Sequence, residues 1–224
     1  LDRAWEQALR PCCKHMMVID DLADRPHECD LLLDQNLGRV AADYAGLVPE
    51  SCTVLAGTRY ALLRPEFAAL REYSLQRRKS PQLRQLLISM GGVDRSNATG
   101  RTLDALRLSP LPQDCRIIVV MGPHAPWLQE VQAQADDMPW PCEVKVNVSD
   151  MARLMADSDL AIGAAGSTSW ERCALGLPAL VVVVAENQKQ GASALANAGA
   201  SIVIDEIDSI ENVVPELLAT IGSL

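Results

Sequence analysis

Basic residues are scarce in this sequence. Its 20 lysines and arginines face 29 aspartates and glutamates, for a formal charge of −9. A general nucleic-acid binder needs a basic face to release counterions, so that class is excluded. Long apolar runs are missing as well. The longest, around 177–185, contains Pro178 and falls far short of the roughly 20 residues that span a bilayer. The opening Leu1-Asp2-Arg3-Ala4-Trp5-Glu6 lacks the basic region and apolar stretch of a signal peptide. It reads as the middle of a helix, without an initiating Met, so the chain is expected to be a piece of a longer polypeptide. No Cys-x-x-Cys pair occurs among the seven cysteines at 12, 13, 29, 52, 115, 142 and 173. That odd, unpaired set predicts a reduced, cytoplasmic protein. Cys115 and Cys173 stand in apolar sequence and are expected to behave as small hydrophobes. Cys12, Cys13, His15, His27 and Cys29 lack the paired spacing of a zinc tetrahedron, and buried or edge thiols are expected there instead.

What is present is an ordinary soluble composition, 49% hydrophobic and 22% charged, which rules out disorder. Short apolar runs at 16–20 and 30–34 end in acids, as buried strands do, and 54–63 carries a third apolar run broken by Gly57. Pro65 opens a helix over about 66–78. The polar Arg77-Arg78-Lys79-Ser80-Pro81 suggests a domain boundary near residue 80. Beyond it, strands at 86–90, 116–121, 144–146, 160–162, 179–184 and 201–204 alternate with helices. This alternation predicts an α/β fold, with 81–224 a complete doubly wound domain. Residues 1–80 are expected to be the end of a second, truncated α/β domain plus a linker helix.

Ligands of open parallel sheets bind beyond the carboxyl ends of the strands. Two loops there are rich in small residues and lead into helices: Ser89-Met90-Gly91-Gly92-Val93-Asp94 and Gly163-Ala164-Ala165-Gly166-Ser167-Thr168. Small residues let a phosphate approach the backbone, and free amides at a helix start favour negative charge. Neither loop matches G-x-G-x-x-G or G-x-x-x-x-G-K-[ST], so NAD and ATP are not the expected ligands. Two such loops at one edge suit a diphosphate; each alone also suits a plain strand-to-helix turn. Glu171 lies one helical turn beyond Ser167, where its carboxylate can accept from vicinal ribose hydroxyls. It also suits an ordinary first-turn charge or a partner for Arg172. Glu186-Asn187-Gln188 follows a very apolar strand and suits either polar-ligand recognition or a helix cap.

The stretch Asp159-Leu160-Ala161-Ile162-Gly163-Ala164-Ala165-Gly166-Ser167-Thr168-Ser169-Trp170-Glu171-Arg172-Cys173-Ala174-Leu175-Gly176-Leu177-Pro178, followed by Ala185-Glu186-Asn187-Gln188, resembles the nucleotide-binding domain of the PseG family. Tyr60-Ala61-Leu62-Leu63-Arg64-Pro65-Glu66-Phe67, Ser89–Asp94 and Val18-Ile19-Asp20-Asp21-Leu22-Ala23-Asp24-Arg25 resemble the same family, so the likeness covers essentially the whole chain. It extends more loosely to MurG-type glycosyltransferases of the two-domain GT-B architecture. The resemblance implies hydrolysis of UDP-2,4-diacetamido-2,4,6-trideoxy-β-L-altropyranose in pseudaminic acid biosynthesis, with no cofactor and no metal. It implies that Gly91, Gly92, Ser167 and Thr168 contact the diphosphate, Glu171 the ribose, and Asn187 and Gln188 the sugar side, with Gly166 also among the substrate-binding residues. The family's catalytic histidine sits in a G-x-G-H loop near its amino terminus, and that motif is absent here. None of His15, His27 and His124 is read as following a glycine-rich strand end, so no catalytic residue is assigned. The chain is then expected to supply mainly the UDP-binding half, with a preceding domain of the same polypeptide as its partner, and no nucleic acid or membrane. Two other functions fit the same residues: a GT-B glycosyltransferase and a non-catalytic sugar-nucleotide module.

Overall fold

The computed structural model describes residues 2–222, with side chains through residue 218. The chain divides into two compact units, Leu1–Leu62 and Leu63–Leu224.

The first unit opens with helix α1 (Arg3–Leu9) and carries a parallel sheet, β1 (Met17–Ile19), β2 (Leu31–Asp34) and β3 (Thr53–Ala56), in that order. Its small apolar core centres on Cys29, Leu32 and Tyr44. The acids that end the first two strands are buried and joined. The Tyr44 hydroxyl lies 3.0 Å from Asp20 and 2.9 Å from Asp34, and its single proton serves one of them at a time. Arg25 pairs with Asp20 at 2.7 Å and Arg39 with Asp34 at 2.8 Å. Burial opposes ionisation of Asp20, but the Ala23 amide, Tyr44 and Arg25 outweigh it and hold the carboxyl below its ordinary value. His27 is buried 2.7 Å from Glu6. Cys12 and Cys13 are exposed, whereas Cys29 is buried with its sulfur 3.6 Å from that of Cys52. Burial first, then Cys52, pushes the Cys29 thiol up to about 12, which leaves it inert. Among the described residues no group of three or more His, Cys, Asp or Glu is placed to hold a metal ion.

The second unit begins with α2 (Pro65–Arg77), started by the proline at its first position. There follow β4 (Gln85–Ser89), α3 (Ala98–Arg107), β5 (Arg116–Met121), α4 (Leu128–Asp136), β6 (Cys142–Val146) and α5 (Met151–Asp157). Then come β7 (Leu160–Ala164), α6 (Thr168–Leu175), β8 (Ala179–Val182), α7 (Lys189–Asn197), β9 (Ile202–Ile204) and α8 (Ile210–Gly222). The six strands are all parallel, in the order β6-β5-β4-β7-β8-β9. Alternate residues of the central strands feed two cores, one on each face. Leu86, Ile88, Ile117, Val119 and Ile162 pack with Leu103 and Leu106 of α3 and Val214 of α8. Leu87, Ile118, Ala161 and Val181 pack with Phe67 of α2, Met155 of α5 and Leu175 of α6. Strands buried on both faces read as continuous apolar runs, which is why the sequence located them.

The unit boundary falls before α2, not near residue 80, because α2 is bonded into the second unit. Ser74 donates to the Leu175 carbonyl at 2.6 Å, and Tyr73 to Asp157 at 2.7 Å. Arg78, in the polar stretch expected to be a surface connection, donates to the carbonyls of Met155 and Ser158. A second departure concerns Cys173, which is exposed. Helix α6 buries Ser169, Trp170, Arg172 and Leu175, and that face leaves Cys173 outside. No helix among the described residues is long and apolar enough to cross a membrane.

Gly122, just beyond β5, faces the carbonyl of Gly92 so closely that a methyl group would collide with it. Gly122→Ala is therefore expected to cost about 1–3 kcal/mol, as overpacking does. Chemical denaturation reads this as a lowered midpoint, and an unchanged midpoint would show that the Gly92 loop yields freely.

Candidate functional site

The order of the strands reverses direction at one place. From β4 the chain winds outward through β5 to β6; it then returns to β7, beside β4, and winds the other way through β8 to β9. Ser89 at the end of β4 pairs with Gly163 of β7, so the loops that follow these two strands leave the sheet side by side. Diverging helices at such a point open a crevice at the carboxyl edge. The two small-residue loops found in the sequence are these two loops.

Each loop turns on a glycine at positive φ, Gly91 at +93° and Gly166 at +152°. No atom lies within 4 Å of where a Cβ would stand at Gly91, Gly92 or Gly166, so the side-chain face of each is open. Such a surface admits a ligand up to the main chain.

The two helix starts differ, which the sequence reading did not foresee. At α3 the amides are already taken. Asp94, itself at φ +42°, accepts from Ala98 and Thr99 at 2.9 Å each, and Asn97 accepts from Gly100 at 3.1 Å. The expectation of free amides at both helix starts is thus corrected: the α3 start carries its own carboxylate. At α6 the cap residue Ser167 makes no side-chain capping bond, and among the described residues the Ser167 and Thr168 amides have no protein acceptor. This start is open to an anion.

Glu171 sits in the first turn of α6, partly buried. Burial pushes its carboxyl up, and the charges of Arg64 and Arg172 partly offset that. Arg172 is not its ion-pair partner. It runs inward beneath the loop, where its guanidinium donates to the Ala164 carbonyl and the Ser169 hydroxyl at 2.9 Å each. Asn187 is exposed and Gln188 half-buried, in a 3-10 turn (Glu186–Gln188) between β8 and α7. The Gln188 side-chain carbonyl accepts from the Val184 amide at 3.0 Å, which leaves its NH2 group for other partners. His124 is the histidine whose position differs from expectation. It follows Gly122-Pro123 directly beyond β5 and so stands exposed at the carboxyl edge. The Trp127 indole, three residues on, donates to the Arg95 carbonyl at 3.0 Å and ties this loop to the one after β4. In sum, the edge offers open amides, small residues, the Glu171 carboxylate and side-chain amides. That set can bind an anion and a polyol.

Comparison with known proteins gives this geometry a family. Residues 95–221 match the glycosyltransferase family 28 C-terminal domain. The chain belongs to that family. It is 31% identical over 175 residues to the UDP-2,4-diacetamido-2,4,6-trideoxy-beta-L-altropyranose hydrolase of Campylobacter jejuni, a match covering 78% of this chain and 60% of that protein. The PseG-type resemblance of the sequence is thereby supported. The chain is also 31% identical over 150 residues to the spore coat polysaccharide biosynthesis protein SpsG of Bacillus subtilis, covering 66% of this chain and 43% of that one. It spans between 39% and 60% of the length of the curated relatives it matches. Among solved structures, Acinetobacter baumannii MurG superposes with a TM-score of 0.57 at 21% identity, over 90% of this chain and 59% of MurG. The fold of this family 28 chain is α/β and of the GT-B type.

Asp94 serves two amides at once, and its loss should show in stability. Asp94→Ala is expected to lower folding stability by about 1–2 kcal/mol, the usual cost of an N-cap. A thermal melt without ligand checks this, and an unchanged melting temperature would mean that water replaces the carboxylate without cost.

Proposed function

We propose that this chain is the nucleotide-binding half of a UDP-sugar hydrolase of the PseG type. The reaction would split UDP-2,4-diacetamido-2,4,6-trideoxy-β-L-altropyranose, or a close relative, into UDP and the free sugar. The observation that carries the reading is the pair of glycine loops at the reversal between β4 and β7, with the open amides of Ser167 and Thr168 beside them. In this reading Gly91, Gly92, Gly166, Ser167 and Thr168 receive the diphosphate. Glu171 accepts from the ribose hydroxyls, and Asn187 with the free NH2 of Gln188 meets the sugar side. The base that activates water comes from a preceding domain of the same polypeptide, so the chain by itself hydrolyses little. The name of the Campylobacter jejuni relative supports this reaction.

The family 28 match itself favours a second reading, transfer of the sugar to an acceptor. Product analysis of the complete polypeptide without added acceptor separates them. Free sugar released together with UDP supports hydrolysis, and release only with an acceptor supports transfer.

UDP, but neither NAD nor ATP, is expected to raise the melting temperature. Stabilisation by a ligand follows RT ln(1 + [L]/Kd), about 2.7 kcal/mol at 100 times Kd. A melt that UDP leaves in place would remove the proposal.

Glu171→Ala is expected to weaken UDP binding by about 1.5–3 kcal/mol, the range for hydrogen bonds to a charged group. Wild type should bind 2′-deoxy-UDP less well than UDP, and the variant should bind the two alike by titration calorimetry. If the variant keeps the full preference for UDP, the ribose is held elsewhere and Glu171 is only a helix-start charge.

A further inference from the structure

Among the described residues Arg172 is a buried cation that makes no ion pair. Its side chain is 3% exposed, and its guanidinium meets only neutral oxygens, the Ala164 carbonyl and the Ser169 hydroxyl. Its Nε has no hydrogen-bond partner among the described residues. Burial pushes the guanidinium down to about 10, so it stays charged at neutral pH. A buried charge held this way forgoes its hydration, a cost that an apolar side chain of similar volume would avoid. Gly163 makes room for it: a Cβ there would stand 2.5 Å from Nη1 of Arg172.

The loop wrapped around this charge supplies no anion. Ala165, Gly166, Ser167 and Thr168 are all uncharged. Glu171 is adjacent in sequence but makes no hydrogen bond or ion pair with Arg172, and Arg64 shares its field. Across the crevice, α3 answers its own amides with Asp94. The α6 side has open amides, a buried cation behind them and no carboxylate on them.

We propose that Arg172 is a positioning residue whose buried charge is the standing counter-charge for the anionic part of the ligand on the Ala165–Thr168 loop. It need not touch the ligand. It holds the loop through Ala164 and Ser169 and adds a full positive charge to the partial charge of the loop's amides. The inference rests on the nucleoside-diphosphate reading above and deepens it.

The test is titration of uridine, UMP and UDP into the wild-type chain and into Arg172→Gln, Arg172→Met and Arg172→Lys. Charge grows along this ligand series while the nucleoside stays the same. Wild type should bind more tightly at each step. The Gln and Met variants should lose about tenfold in UDP affinity, equal to about 1.4 kcal/mol, with uridine unchanged. The Lys variant should keep the wild-type climb. The unliganded Gln variant, whose amide can still donate to the Ala164 carbonyl, should melt no lower than wild type, since an unpaired buried charge has been removed, whereas Met leaves that carbonyl without a donor and should melt somewhat lower. Equal losses on uridine and UDP, an undiminished climb in the neutral variants, or failure of those variants to fold would each overturn the role. If wild type itself binds UDP no better than uridine, the diphosphate reading falls instead. The two failures are therefore distinct.

Discussion

The parallel pairing of β4 with β7 is the constraint on which the rest depends. Two strands far apart in sequence lie side by side, Leu86 against Leu160 and Ser89 against Gly163, while their onward connections diverge. Each strand is covered on both faces, so neither can slip without exposing a buried run. The divergence leaves the carboxyl edge unfilled at that one place. The site is thus a consequence of topology, and its chemistry is written in the few residues that line the edge.

Those residues are electrostatically unequal. On one side Asp94 closes the start of α3 with its own carboxylate, which fixes the loop after Gly91 and Gly92 as a wall. On the other side the start of α6 is uncapped, and the buried Arg172 lies behind it. A diphosphate set between them would meet main-chain amides from both loops and an opposing charge from one helix only. Under the proposed function that asymmetry would give an anionic ligand a direction, with Glu171 at the α6 end placed for the ribose hydroxyls.

Much of this was legible in the sequence, for identifiable reasons. Strands buried on both faces announce themselves as apolar runs, and Pro65 marks a helix start by its own backbone geometry. Both loops could be found because a carboxyl edge in an α/β fold lies where an apolar run ends. What stayed hidden depends on partners distant in sequence. Arg77-Arg78-Lys79 looks like a solvated run, yet Arg78 reaches carbonyls of α5 and its end, about 80 residues further on, and this moves the boundary ahead of α2. The Asp94 cap was masked by its left-handed backbone, four and five residues before the amides it serves. Gly122 looks like any strand-end glycine until the Gly92 carbonyl is placed against it. In the sequence Arg172 enters only as one possible partner for Glu171, because only the structure turns it beneath the loop.

The most direct test of the account is to follow backbone amide resonances of the chain while UDP is added. The account predicts the largest shifts at Gly91, Gly92, Gly166, Ser167 and Thr168, with Ala98 and Thr99 little moved because Asp94 already holds them. Shifts centred elsewhere, or at Ala98 and Thr99 and not at Ser167 and Thr168, would contradict it.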